Sequence, residues 1–353
     1  MKEYPTSIFG KSGFDALYEY GSSEGTKLNS DELNRSARHY LNDLEPVFLE
    51  MKKIVVGQEN VISHLVTALI SGGHVLLEGV PGIAKTLTVH TLSRVLDCSF
   101  TRIQFTPDLL PADIIGTKIF DRSESGFKTF RGPVFHQFIL ADEINRAPPK
   151  VQSALLEAMQ EMQVTIQGET IRLEKPFFVM ATQNPLESEG TYPLPDAQVD
   201  RFMFKILMDY PSCSEELDIL NRYTGDEMPV PDAVLSVEKI NELQVFARKI
   251  HIEQSILEYV VRLTDATRHP EQFGIDLGDC IEWGASPRAS VWLVLGSKAH
   301  ALLEGRGYVI PEDVIAVAHA VLRHRILISY EGLSRGIRPD DVIDRMLGTV
   351  EIP

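Results

Sequence analysis

Apolar positions along the chain follow two periods. From Asp31 onward Leu33, Ala37, Tyr40, Leu41, Leu44, Val47, Phe48 and Met51 recur at helical spacing, which predicts a docked amphipathic helix. Residues before about Asn29 are rich in Gly, Ser and charge and have no period, so a mobile arm is expected over 1–30. Val55-Val56-Gly57-Gln58-Glu59 leads into a second helix, Asn60 to Ser71, closed by Gly72-Gly73. Shorter continuous apolar runs follow. His74-Val75-Leu76-Leu77, Phe138-Ile139-Leu140-Ala141 and Phe177 to Thr182 read as buried strands, with Phe100 to Gln104 and Phe204 to Met208 as two more. Phe105 to Gly116 reads as a loop and short helix.

Two segments carry a hairpin signature: Thr117 to Asp121 with Gly126 to Phe130 around Arg122-Ser123-Glu124-Ser125, and Met162 to Leu173 around Gln167-Gly168-Glu169-Thr170. The Tyr210-Pro211 step, with Ser212 as a cap, marks a domain boundary. Everything beyond it reads as helix: Ser214 to Tyr223, Val237 to Lys249, Gln254 to Arg268, Pro287 to Glu304 and Pro311 to Arg325. In the third of these Ile256, Tyr259, Val260 and Leu263 share one face.

Composition narrows the classes. A chain of 353 residues, 44% hydrophobic and 24% charged, has core enough for two globular domains. Its net charge of -16 opposes non-specific attraction to nucleic acid or anionic membrane. Cys98, Cys213 and Cys280 form no CxxC pair and are read as small buried hydrophobes in a reducing interior. Met1 to Ser7 lacks the apolar core of a signal peptide and no apolar run is long enough to cross a bilayer, so the cytoplasm is the expected location.

The chemistry centres on Gly79-Val80-Pro81-Gly82-Ile83-Ala84-Lys85-Thr86, between a buried strand and the helix-like stretch Leu87 to Leu96. A helix start offers unpaired N–H groups and a partial positive charge, so a phosphate seated there meets donors and dipole together. Gly79 and Gly82 let the backbone approach, Lys85 reaches the β/γ oxygens and the Thr86 hydroxyl coordinates Mg²⁺. Ala84 stands where the phosphate-loop pattern asks for Gly; its methyl is affordable where the residue has helical φ/ψ.

Downstream, Asp142-Glu143 ends a buried strand, and two acids there are costly unless a cation meets them. Mg²⁺ held by Asp142, with Glu143 polarising the attacking water, answers that; an acidic cap for the following helix would explain one acid only. Asn184, in Gln183-Asn184-Pro185, either holds a water beside the γ-phosphate or forms an Asx-Pro turn. Ser286-Pro287 has the caps of a helix start, which puts Arg288 in a first turn where the dipole disfavours a cation; a phosphate, or pairing with Asp279 or Glu282, would account for it. Arg201 reads by itself as a surface residue beside Asp200. His319 and His324, five apart on one helix, do not align as metal ligands.

Taken in order, Gly79 to Thr86, Ala141 to Lys150, Ala181-Thr182-Gln183-Asn184-Pro185, Asp200-Arg201-Phe202 and Gly284 to Ala289 resemble the motifs of the MoxR family of AAA+ ATPases, a match spanning about Val55 to Arg325. Ala84 is at home in that family. The resemblance implies an α/β fold: an AAA+ P-loop αβα domain with a five-stranded parallel sheet over 31–211, and a C-terminal all-helical lid over 212–353. It implies Walker A at Gly79 to Thr86, Walker B at Asp142 and Glu143, sensor 1 at Asn184, an arginine finger at Arg201 given to a neighbour, and sensor 2 at Arg288. The expected nucleotide contacts are Gly57, Gln58, Gly79, Val80, Pro81, Gly82, Ile83, Ala84, Lys85, Thr86, Leu87 and Asp142, with Mg²⁺ on Thr86 and Asp142. The two hairpins match inserts that face a ring's central channel.

The expected function is Mg²⁺-dependent ATP hydrolysis in a ring, a hexamer, whose lid closes onto nucleotide to remodel a client protein; the resemblance implies a chaperone-like role in remodelling or maturing client protein complexes, beside a partner with a von Willebrand factor A domain. A nucleic-acid motor is the rival reading, disfavoured because the tips Arg122 to Ser125 and Gln167-Gly168-Glu169 carry no basic excess. A nucleotide-gated scaffold with little hydrolysis is the third, and intact Asp142, Glu143, Asn184 and Arg201 speak against it.

Overall fold

The computed structural model describes residues 29–80, 82–121, 126–184, 190–225 and 229–353. The expected arm up to residue 28, Pro81, the first hairpin's tip at 122–125 and Pro185 lie outside the described residues. Helix α1 (Ser30–Ile54) buries Leu33, Ala37, Leu44, Val47, Met51 and Ile54 along one face, as its spacing predicts. Helix α2 (Glu59–Ser71) ends at Gly72, whose φ of 74° is the left-handed stop that favours glycine.

Strand β1 (Val75–Glu78) leads through the glycine loop into α3 (Lys85–Val95), then β2 (Phe100–Gln104) and the short α4 (Pro111–Ile115). The first hairpin is β3 (Gly116–Asp121) with β4 (Gly126–Arg131); β5 (Phe138–Asp142) and α5 (Pro149–Glu161) follow. The second hairpin is β6 (Gln163–Ile166) with β7 (Glu169–Arg172), turned by Gln167-Gly168 at φ 46° and 88°. Next come β8 (Phe178–Gln183), the single turn α6 (Asp196–Val199) and β9 (Phe204–Leu207).

Five of these strands form one parallel sheet in the order β2-β5-β8-β1-β9. Helices cover both faces, so the central strands are apolar on both sides. Val75, Leu77, Phe138, Leu140, Phe178 and Met180 join one core with α1 to α3, while Leu76, Ile139, Ala141, Val179 and Ala181 join another with α5. Parallel packing brings every carboxyl end of the sheet to one edge.

The remaining chain is helical: α7 (Cys213–Tyr223), α8 (Val237–Lys249), α9 (Gln254–Ala266), α10 (Pro287–Leu303), α11 (Pro311–Leu322), α12 (Tyr330–Ser334) and α13 (Pro339–Thr349). One exception corrects the reading of uninterrupted helix. Strands β10 (Ile281–Trp283) and β11 (Leu327–Ile328) pair antiparallel, a ribbon too short for period to reveal. Helix α11 also ends at Leu322, so His324 is not on it with His319. Of the cysteines Cys280 is buried and Cys98 half-buried, but Cys213 is exposed, because it opens α7, a helix with no buried residue.

Candidate nucleotide site

Three segments converge on the carboxyl edge of the sheet. The pairing of Glu78 with Gln183, and of Gln104 with Asp142, sets the glycine loop, Asn184 and the acid pair side by side. Gly79 has no room for a side chain: a Cβ would lie 2.7 Å from the Met208 carbonyl and 2.5 Å from Ile83 Cδ1. Gly82 takes φ +85°. Lys85 Nζ donates to the Gly79 carbonyl at 2.7 Å, folding the ammonium back across the loop. Ile83 is buried, Val80 and Leu87 pack against the core, and Thr86 sits half-buried in the first turn of α3.

Ala84 departs from expectation. Its φ of 64° and ψ of 23° are left-handed rather than helical, so its Cβ is strained and the neighbouring loop must hold it there. Gly57, at φ +71°, also admits no side chain, since a Cβ would collide with the Glu215 carboxylate. Beside it Gln58 Nε2 donates to the Asp209 carbonyl at 3.3 Å. Gly57 therefore faces the first turn of α7, and Gln58 the segment that joins β9 to it.

Sequence reasoning assigned the acid pair's countercharge to a metal, but the chain supplies part of it. Arg102 donates to Asp142 Oδ2 from Nε at 3.0 Å and Nη2 at 2.5 Å, and the Thr182 hydroxyl donates to Oδ1 at 2.6 Å. Glu143 has φ 55°, its N–H donates to Thr182 Oγ1 at 2.8 Å, and its Oε2 accepts from Gln104 Nε2 at 2.7 Å and Arg146 Nη1 at 3.1 Å. Arg102 and Gln104 were missed, although alternation along β2 puts both on one face beside β5. Asn184 is buried directly after β8. Thr86 and Asp142 offer only hard oxygen donors, which fits Mg²⁺, and the half-exposed Arg102 has room to swing aside.

The two remaining arginines lie elsewhere. Arg201 comes just before β9, whose Phe204 pairs with Val75 at the amino end of β1. The four residues of β1 span about 13 Å at strand spacing, which separates Arg201 from its own chain's loop. Arg201 is half-buried and lines an open cavity of ≈ 400 Å³ with Glu157, Glu161 and Gln198. Among the described residues its side chain makes no hydrogen bond or ion pair. Burial lowers its pKa and the Arg288 charge lowers it further, against Glu157 and Glu161.

Arg288 pairs with neither Asp279 nor Glu282: its Nη1 donates to Asp200 Oδ2 at 2.7 Å. Ser286 occupies the N-cap position without capping, its Oγ donating to Asp200 at 3.1 Å instead. The third partner of Asp200 is Arg325, whose side chain is 1% exposed and whose Nε donates to Oδ1 at 2.7 Å. Burial lowers Arg325 to about 10, with Asp200 opposing. No pattern in the sequence singled out Arg325. His319 pairs with Asp344 and His324 with the Phe202 carbonyl, and among the described residues no His, Cys, Asp and Glu cluster suited to a metal is present.

Known proteins resemble most of the chain. A family model, "ATPase family associated with various cellular activities (AAA)", matches residues 74–204, and an AAA lid domain model matches 277–346. The chain is 51% identical to the chaperone MoxR1 of Mycobacterium tuberculosis over 314 residues, 89% of this chain and 83% of that protein. This chain belongs to the MoxR family of AAA+ ATPases.

Protein MoxR of Methylorubrum extorquens is 33% identical over 323 residues, 86% of this chain and 93% of the relative. A solved structure from Cytophaga hutchinsonii, described as a candidate ATPase, superposes with a TM-score of 0.85 at 46% identity, covering 90% of this chain and 97% of that one. As a MoxR-family protein the chain has an AAA+ αβα fold with a helical lid and is an ATP hydrolase. No described helix is long and apolar enough to cross a membrane.

Proposed function

We propose that this MoxR-family chain hydrolyses ATP with Mg²⁺ inside a cytoplasmic ring, a hexamer, and uses the cycle to remodel a client protein, with a von Willebrand factor A domain protein as partner. Residues 31–211 form the nucleotide-binding domain and 212–353 the lid. The loop Gly79 to Thr86 cradles the phosphates, Gly57, Gln58 and Leu87 flank the nucleotide, and Lys85 neutralises β/γ oxygens. Thr86 and Asp142 hold Mg²⁺, which when bound would offset charge on the transferring phosphoryl group. Glu143 takes a proton from the attacking water and Asn184 orients that water.

The observation that carries the ring is the position of Arg201: beside Arg288, without an ion pair among the described residues, and a strand's length from its own loop. A guanidinium so placed serves a neighbour's γ-phosphate, where preorganised charge stabilises the transition state. Arg288, held at the same end by Asp200, faces that neighbour too, which replaces the expected closure of the lid onto its own nucleotide. The hairpins favour a polypeptide client. Phe120 and Phe127 are exposed and stack edge to face at 5.4 Å, Phe130 is exposed on the ribbon's other face, and Lys118 ties the hairpin to Glu169 of the second one at 3.0 Å.

Turnover per subunit measured against protein concentration tests the ring: a cooperative rise is expected, and a rate independent of concentration refutes shared sites. Lys85→Ala should abolish ATP binding. Glu143→Gln should bind ATP without hydrolysing it, and parental turnover in that variant would remove Glu143 from water activation.

A further inference from the structure

Three consecutive residues at the end of α11 grip the strand root that carries Arg201. Arg325, nearly sealed from solvent, donates from Nη2 to the carbonyls of Asp200 at 2.9 Å and Phe202 at 2.6 Å, and from Nη1 to those of Met203 at 3.1 Å and Val321. Its Nε takes the Asp200 carboxylate at 2.7 Å. His324 Nε2 donates to the Phe202 carbonyl at 3.1 Å, and Arg323 Nη1 to the Lys205 carbonyl at 3.1 Å while its Nε binds Asp340 of α13 at 3.0 Å. Four carbonyls between residues 200 and 205 are thus read from the lid, and the one polar side chain of that segment without a hydrogen bond or ion pair among the described residues is that of the arginine they bracket.

A planar guanidinium with five donors can fix several carbonyls in one rigid arrangement, which no ammonium or amide can copy. Such a buried cation is costly, and apolar residues would pack the same space more cheaply. Its retention calls for a role that packing does not fill.

We infer that Arg325, seconded by Arg323 and His324, is the positioning residue for the arginines given to the neighbouring subunit: it fixes the Asp200–Lys205 backbone under Arg201 and, through the Asp200 carboxylate, the guanidinium of Arg288. Lid and arginine pair move as one body. A change in lid orientation therefore moves both charges at the neighbour's phosphate together. This rests on the shared-site reading proposed above, which the experiment separates from it.

The full-length Arg325→Gln variant keeps its own glycine loop, so a fluorescent ATP analogue should bind within about twofold of parental affinity. Hydrolysis should fall about 100-fold, the scale of losing one preorganised charge. The deciding measurement is subunit mixing with Glu143→Gln, which cannot hydrolyse but still offers an intact arginine pair. Mixing should restore ATPase activity that neither variant has alone, whereas a merely structural defect stays silent. Arg325→Lys should not rescue, and Arg323→Gln, which leaves the buried guanidinium in place, should give a weaker loss with the same complementation. Arg201→Ala mixed with Glu143→Gln is the reference. Recovery there but not with Arg325→Gln or Arg323→Gln overturns the inference alone; recovery in neither overturns the shared site and the inference with it. Parental turnover in Arg325→Gln also overturns it.

Discussion

Arg288 donates a 2.7 Å hydrogen bond to Asp200, the residue immediately before Arg201. One carboxylate therefore joins the first turn of α10, the end of α11 and the root of β9, because Ser286 and Arg325 bind it as well. The helix dipole disfavours Arg288 where it stands, and Asp200 offsets that cost.

Asp200→Asn should therefore do two things. The Arg325 guanidinium is left without its counter-charge in a buried site, a loss of about 3 kcal/mol in urea unfolding. Arg288 loses its hydrogen bond to that carboxylate at the same time, so ATPase activity should fall while nucleotide affinity holds. A variant with parental stability would mean that the carbonyls alone satisfy Arg325.

Ala84 offers a cleaner test of local strain. At φ 64° an alanine costs about 1 kcal/mol more than glycine, partly offset because glycine frees the unfolded chain. Ala84→Gly should be neutral to slightly stabilising and should bind ATP normally. Ala84→Val, β-branched at a left-handed position, should lose stability and weaken ATP binding, measured with a fluorescent analogue.

The sheet and its loop were legible because buried strands and a phosphate-binding turn are local patterns. Phe138 to Ala141 can be little else, and Asp142-Glu143 follows it directly. What stayed hidden depends on contacts distant in sequence. Arg102 reaches Asp142 across 40 positions and Arg325 reaches Asp200 across 125, and neither separation leaves a mark in spacing. Ala84 was misjudged for another reason: its backbone angle is set by the loop around it, not by its own preference. The β10–β11 ribbon escaped because two or three residues cannot display alternation.

Acid should destabilise the fold through His74. Its Nδ1 accepts the Val179 N–H at 3.1 Å and its Nε2 faces the Met159 carbonyl at 3.2 Å, which fits one neutral tautomer; a second proton would set two donors against each other. Burial lowers its pKa to about 4 from the usual 6.5. The unfolded chain thus binds the proton more readily, so stability is complete above about pH 6.5 and falls by about 3 kcal/mol as pH drops toward 4. His324, also pushed down by burial, acts in the same direction. Urea midpoints between pH 7 and 4.5 should follow this slope, and His74→Gln, which keeps a donor and an acceptor, should flatten it.

Gln104 controls how far Glu143 can reach. Its amide holds Glu143 Oε2 at 2.7 Å and draws the carboxylate toward β2, while Arg146, in the turn after β5, holds the same oxygen at 3.1 Å. A water attacking phosphate at the glycine loop lies toward β1, with β8 between. Breaking one hydrogen bond of about 1 kcal/mol shifts the rotamer balance by up to fivefold. Gln104→Leu should accordingly raise basal ATP turnover by up to that factor without changing ATP affinity. A fall in turnover would mean that Gln104 holds Glu143 in its working position, and the sign of the change decides between restraint and alignment.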